Sequence, residues 1–70
     1  YLSMDMAQNI LVIRTVPGMA MAVCAALDAL KLDEIVGSIA GDDTIMCAAK
    51  TADMALGAAE KLRSFVRLNK

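Results

Sequence analysis

The chain has 70 residues, 59% of them hydrophobic, 3% aromatic and 21% charged, with a net charge of −1 and no histidine. The composition excludes imidazole-based catalysis, and the faintly acidic balance gives no electrostatic footprint for nucleic acid. A chain this short forms one domain, residues 1–70, and buries only about 60% of its unfolded surface, so its own core is marginal. Disulfides, a metal or oligomerisation are the usual remedies. Cys24 and Cys47 are the only cysteines. Both sit in apolar runs, with no CxxC pair and no histidine beside them, and read as small core thiols in a reducing cytoplasm. Oligomerisation is the remedy that is left.

Tyr1 to Met6 alternates, with Leu2, Met4 and Met6 against Ser3 and Asp5, which predicts a half-buried strand. Ala7-Gln8-Asn9 turns it into Ile10-Leu11-Val12-Ile13, a strand apolar on both faces and therefore covered on both faces. Pro17 punctuates the chain. A helix then runs from Gly18 to Leu30, with no polar residue before Asp28. A helix apolar all round is buried all round, which in so small a domain points to a protein partner. Asp28 is out of place there, because a carboxylate in the last turn faces the negative end of the helix dipole. It marks either the rim of a buried surface or a binding group.

Ile35 to Ala40 and Asp43 to Ala49 form a hairpin. Taking Gly41-Asp42 as the loop dipeptide pairs Ala40 with Asp43 and Ser38 with Ile45, and places Ser38, Ala40 and Asp43 on one face. Thr51 caps a final helix, with Asp53 in the first turn where an anion is favoured. Met54, Ala58, Leu62, Phe65 and Val66 recur at helical spacing as its buried face. Lys61, Arg63, Arg67 and Lys70 give that helix a basic, solvated end. The order is ββαββα: an α+β two-layer sandwich, with a four-stranded antiparallel sheet and two helices on one face.

Chemistry is sparse. The serines lack a base, and there is no phosphate loop and no metal motif, so an enzyme is not expected. The GDD triplet at Gly41-Asp42-Asp43 also occurs in polymerase palms, but 70 residues cannot build a palm with its channel. Adjacent carboxylates repel, and a bound cation would relieve that repulsion. Turn chemistry alone would explain one of them, because Asp suits tight turns. No signal peptide is visible, and the longest apolar run, Pro17 to Leu27, is too short to span a bilayer. The chain opens in strand-like sequence without an initiator Met, as a domain of a longer protein would.

Val16-Pro17-Gly18-Met19-Ala20, Asp28, and Val36-Gly37-Ser38-Ile39-Ala40-Gly41-Asp42-Asp43-Thr44-Ile45 together resemble the C-terminal domain of the bacterial arginine repressor family. The likeness runs in order over nearly the whole chain. The resemblance implies a transcriptional regulator of arginine metabolism. Its DNA-binding winged helix-turn-helix would lie N-terminal to this chain, and operator DNA would be met only through it. The C-terminal domains would form trimers that pair into hexamers, with L-arginine, the corepressor, bound between trimers. Asp42 and Asp43 would receive the guanidinium. Asp28, Ser38 and the backbone of Ala40 would help hold the amino-acid end or neighbouring atoms, with Ala20 and Met21 lining the site. Met21 stands where relatives often carry Gln, and it brings no hydrogen-bond donor. On physics alone the acidic pair suits any cation. A sensor of another cationic metabolite, or a purely structural oligomerisation module, remains the alternative.

Overall fold

The computed structural model describes residues 3–68, with side chains through residue 64. Tyr1, Leu2 and Lys70, and the side chains of Phe65, Val66 and Arg67, lie outside the described residues. The elements run β1 (Ser3–Ala7), β2 (Ile10–Arg14), α1 (Ala20–Ala29), β3 (Ile35–Ala40), β4 (Thr44–Ala49) and α2 (Ala52–Leu68). The strands make one antiparallel sheet in the order β1-β2-β4-β3. The expected ββαββα α+β sandwich is therefore the observed architecture.

Alternation decides the two faces of the sheet. Leu11 and Ile13 of β2 and Ile45 and Cys47 of β4 point to the helices and are buried. They meet Ala20 and Cys24 of α1 and Ala59 and Leu62 of α2 in one core. Leu11, Ile13, Ile45 and Leu62 are its largest fully buried side chains, each worth about 1.5–3 kcal/mol relative to exposure. The helix α1 lies over β3 and β4, and α2 crosses the sheet.

Among the described residues the opposite face carries no helix and is nonetheless apolar. Ile39 is 78% exposed and Met46 52%, and the two are paired across the β3–β4 ladder. Met46 pairs in turn with Val12, and Ala48 with Ile10. Val36 joins them at an irregularity between Ile35 and Gly37. The doubly apolar β2 thus has one face covered within the protomer and the other open.

Three local expectations need correction. The hairpin register is shifted by two residues along β4: Ala40 pairs with Ile45 and Ser38 with Cys47, so Asp42 and Asp43 are the two tip residues. Both registers put Ser38 and Ala40 on the face of Ile45, so the facing of β3 is unchanged. The helix α1 begins at Ala20, after a turn at Pro17-Gly18, two residues later than expected. Within the protomer Ala20 and Cys24 of α1 are buried and Met21 is 72% exposed, as a helix with a further apolar face for a partner would be. In α2 the buried face is Ala55, Ala58, Ala59 and Leu62, and Met54 is 39% exposed on the flank. Small alanines let the helix axis approach the sheet, and a long Met sits better beside that contact than under it. The Thr51 cap is as expected, with its hydroxyl accepting the Met54 N–H at 3.1 Å.

Candidate ligand-binding site

The tip of the β3–β4 hairpin is closed by the Gly41 N–H donating to the Thr44 carbonyl at 2.8 Å. Two-residue hairpin loops usually take primed turns, which need positive φ in the loop. Here neither Gly41, Asp42 nor Asp43 has positive φ, and among the described residues only Gln8, Gly18 and Lys31 do. The acidic tip is held from outside instead. The Thr15 N–H donates to the Asp43 carbonyl at 2.8 Å. The Gly18 and Ala20 N–H groups donate to the Asp42 carbonyl at 3.0 and 3.3 Å. The segment Thr15–Ala20 therefore grips the backbone of both aspartates.

That grip also starts α1. Met19 at the N-cap position gives no side-chain cap. The Asp42 carbonyl takes the Ala20 N–H in its place, satisfying one of the orphan donors of the first turn. The positive end of the α1 dipole thus lies beside the acidic tip, where negative charge is favoured. The two carboxylates are not equivalent. Asp43 is half-buried and its Oδ1 accepts the Thr44 hydroxyl at 2.9 Å, which fixes its orientation. Asp42 is exposed, and no hydrogen bond engages its carboxylate among the described residues.

At the other end of α1, the Ser38 hydroxyl donates to Asp28 Oδ1 at 2.9 Å. Both line a cavity of about 120 Å³ whose floor includes Cys47 and Leu62 and whose rim includes Lys31. Burial pushes the Cys47 thiol above its ordinary range. Cys24 and Cys47 are both free and buried. A buried thiol whose ionisation is disfavoured, as at Cys47, is a poor nucleophile.

The residues singled out from the sequence therefore form two groups within one protomer. Asp42, Asp43, Ala20 and Met21 cluster at the hairpin tip and the start of α1. Asp28 and Ser38 lie at the end of α1, on the order of 10 Å away at the rise of a β-strand. Ala40 lies between, half-buried on the helix face. Thr15, Gly18 and Thr44 were not expected at the site. The Pro-Gly dipeptide was the available signal for the first two, but its partner lies 24 residues on (42 − 18) and cannot be read locally. Among the described residues no group of His, Cys, Asp or Glu could hold a metal ion. No helix among them is long and apolar enough to cross a membrane.

Comparison with known proteins supplies the family. Residues 1–64 match the family model for the arginine repressor C-terminal domain. The arginine repressor of Lachnospira eligens is 64% identical over 69 residues, covering 99% of this chain and 46% of the relative. That of Lachnoclostridium phytofermentans is 59% identical over the whole chain and 46% of its own length, and that of Acetivibrio thermocellus is 45% identical over 67 residues, 96% of this chain and 44% of its own. The chain spans about half the length of these curated relatives. On the match across its sheet, both helices and the acidic hairpin, the chain belongs to the arginine repressor C-terminal domain family.

Proposed function

We propose that this chain is the L-arginine-sensing, oligomerising part of a cytoplasmic transcriptional regulator of arginine metabolism, and that it has no catalytic role. A DNA-binding winged helix-turn-helix preceding it would account for the other half of the relatives' length and would carry operator recognition. The observation that carries the reading is the exposed Asp42 carboxylate beside the oriented Asp43 carboxylate on a braced turn. A guanidinium offers five donors in a rigid planar fork and matches such carboxylates in charge and geometry.

The two groups of site residues suit a ligand held between protomers. The hairpin tip would take the guanidinium, and a neighbour's Asp28–Ser38 pair would take the amino-acid end, with Ala20, Met21 and Ala40 lining the contact. Arginine would then link two trimers into a hexamer. The open apolar sheet face, with Ile39 and Met46 at its centre, supplies the trimer contact.

Isothermal titration with L-arginine and with citrulline, paired with sedimentation velocity, tests this. Citrulline keeps the shape and replaces the charged fork with a neutral urea. The expected result is an assembly of at least three chains at micromolar concentration, with arginine heat far exceeding citrulline heat. A folded, assembled chain that gives no heat at millimolar arginine is instead a structural oligomerisation module. Equal binding of both ligands removes the guanidinium from the recognition.

A further inference from the structure

We infer that Gly18 is a positioning residue for the acidic hairpin: its left-handed backbone turns an N–H onto the Asp42 carbonyl and so sets where the two carboxylates stand. The inference rests on the arginine-binding reading of that hairpin and adds a residue that acts through the backbone of Asp42.

Val16-Pro17-Gly18-Met19 is a β-turn closed by the Met19 N–H donating to the Val16 carbonyl at 3.1 Å. Gly18 has φ +83°. Proline at the second position and glycine near φ +80° at the third are the marks of a type II turn. Types I and II differ by a flip of the central peptide, here Pro17–Gly18. In the observed turn the N–H of that peptide reaches the Asp42 carbonyl at 3.0 Å. A type I turn would swing that N–H away and bring the Pro17 carbonyl round towards the Asp42 carbonyl, replacing attraction with repulsion between two oxygens.

This contact is one of three backbone bonds that hold the hairpin tip from outside. The tip lacks the positive φ that would let a two-residue loop close by its own geometry. The bonds from Thr15, Gly18 and Ala20 supply the constraint. Thr15 directly follows β2 and Ala20 begins α1, so both are held by adjoining regular structure. Gly18 is the donor whose direction depends on turn type. A Cβ at position 18 would meet nothing within 4 Å. Substitutions there act through backbone angle and not through crowding, which makes them a clean probe.

The experiment compares the parent chain with Gly18→Ala and Gly18→Asn. Asn is larger than Ala but visits the left-handed region far more readily. Arginine and citrulline affinities are measured by titration calorimetry at concentrations where sedimentation gives all three chains the same assembly state, and thermal melts are run alongside. An Ala side chain favours the flipped turn, so the competent tip is less populated and apparent affinity falls in proportion. The expected result is an arginine affinity about tenfold weaker for Gly18→Ala and within about threefold of the parent for Gly18→Asn. The preference for arginine over citrulline should shrink in Gly18→Ala, because displaced carboxylates no longer match the fork. A general loss of stability would leave that preference alone.

Arginine binding by Gly18→Ala within twofold of the parent, or an equal loss in Gly18→Asn, overturns the inference while leaving the proposed function standing. A Gly18→Ala chain that does not fold also overturns it, since the glycine then serves the fold as a whole. A folded, assembled parent that takes up no arginine overturns the proposed function, and this inference with it.

Discussion

The Ser38 hydroxyl on β3 donates to the Asp28 carboxylate in the last turn of α1 at 2.9 Å. This contact gives Asp28 a local reason to sit where the helix dipole disfavours it. A carboxylate at the negative end of a helix loses about 0.3–1 kcal/mol to the dipole, and a hydrogen bond to a charged group returns about 1.5–3 kcal/mol when sheltered. Asp28 is exposed, so the balance is close to neutral and the residue is held in orientation more than it is stabilised.

Ser38→Ala should therefore change stability by less than about 1 kcal/mol, as surface hydrogen bonds do. It should nonetheless weaken arginine binding several-fold, because Asp28 loses its orienting donor. Ser38→Thr keeps the hydroxyl and should bind close to the parent. Calorimetric titration of the two variants beside a thermal melt checks this. A Ser38→Ala chain with unchanged affinity would detach the Asp28–Ser38 pair from the ligand.

Ile39→Glu addresses the sheet's open face. The side chain is 78% exposed on the protomer, so the substitution leaves the core untouched and circular dichroism should be unchanged. At the proposed trimer contact the same carboxylate would be buried without a partner, which costs several kcal/mol. Sedimentation should show mostly folded monomer at concentrations where the parent is assembled. Unaltered assembly would move the trimer contact to another surface, with the exposed side of α1 the next to test.

Glu34 makes a pH prediction. Its Oε2 lies 2.6 Å from Lys61 Nζ, tying the α1–β3 connection to α2. The hydrogen bond from Lys61 is the main cause that holds its carboxyl below the ordinary value of 4.5. A folded-state value below the unfolded one means the contribution is fully present above the unfolded value. It is lost as pH falls through the folded value. Lys61→Met should be modestly less stable than the parent near neutral pH, the lysine end of the pair being 59% exposed and screened by solvent. The gap should close as pH drops well below 4.5. Denaturant melts of both chains across that range check it, and a gap that widens on acidification would mean the pair does not act through this ionisation.

The element order, the Thr51 cap and the acidic hairpin were all legible in the sequence because each rests on local chemistry. The register of that hairpin was not. Gly41-Asp42 resembles the dipeptide of a primed turn, but the observed ladder pairs Ala40 with Ile45. The hydrophobic pattern could not choose, since both registers put Ser38 and Ala40 on the buried face. The choice is consistent with three backbone bonds from Thr15, Gly18 and Ala20, more than 20 residues away in sequence. The Met54 misplacement has a different origin. In an alanine-rich helix the bulky residue dominates the apolar count, whereas close packing favours Ala55, Ala58 and Ala59 beneath. The two-part layout of the site residues was likewise hidden. Sequence spacing names Asp28 and Asp42 without saying that α1 runs between them.

Asp42 is expected to join ligand binding to assembly. If six hairpin tips face one another between trimers, the empty contact gathers acidic groups in a small space. Their repulsion should weaken the ligand-free hexamer, most at low salt where screening is least. Each arginine adds a guanidinium to an acidic pair and reverses that penalty. Binding and hexamer formation must then strengthen each other by the same factor, because linkage is reciprocal. Asp42→Asn removes the exposed carboxylate and leaves Asp43 with its Thr44 bond. The backbone bonds that grip position 42 go to its carbonyl and survive the change. Asn also tolerates the same turn angles. The variant should therefore fold as the parent does, bind arginine about tenfold or more weakly through loss of a charge-assisted bond, and form a ligand-free hexamer no less stable than the parent's. Its assembly should respond little to arginine. Sedimentation velocity across an arginine titration, for parent and variant at two salt concentrations, reads all of these at once. An Asp42→Asn chain that assembles with arginine as the parent does would show that this carboxylate does not bridge the trimers, and Asp43→Asn would be the decisive comparison: silence there too would remove the hairpin from corepressor recognition.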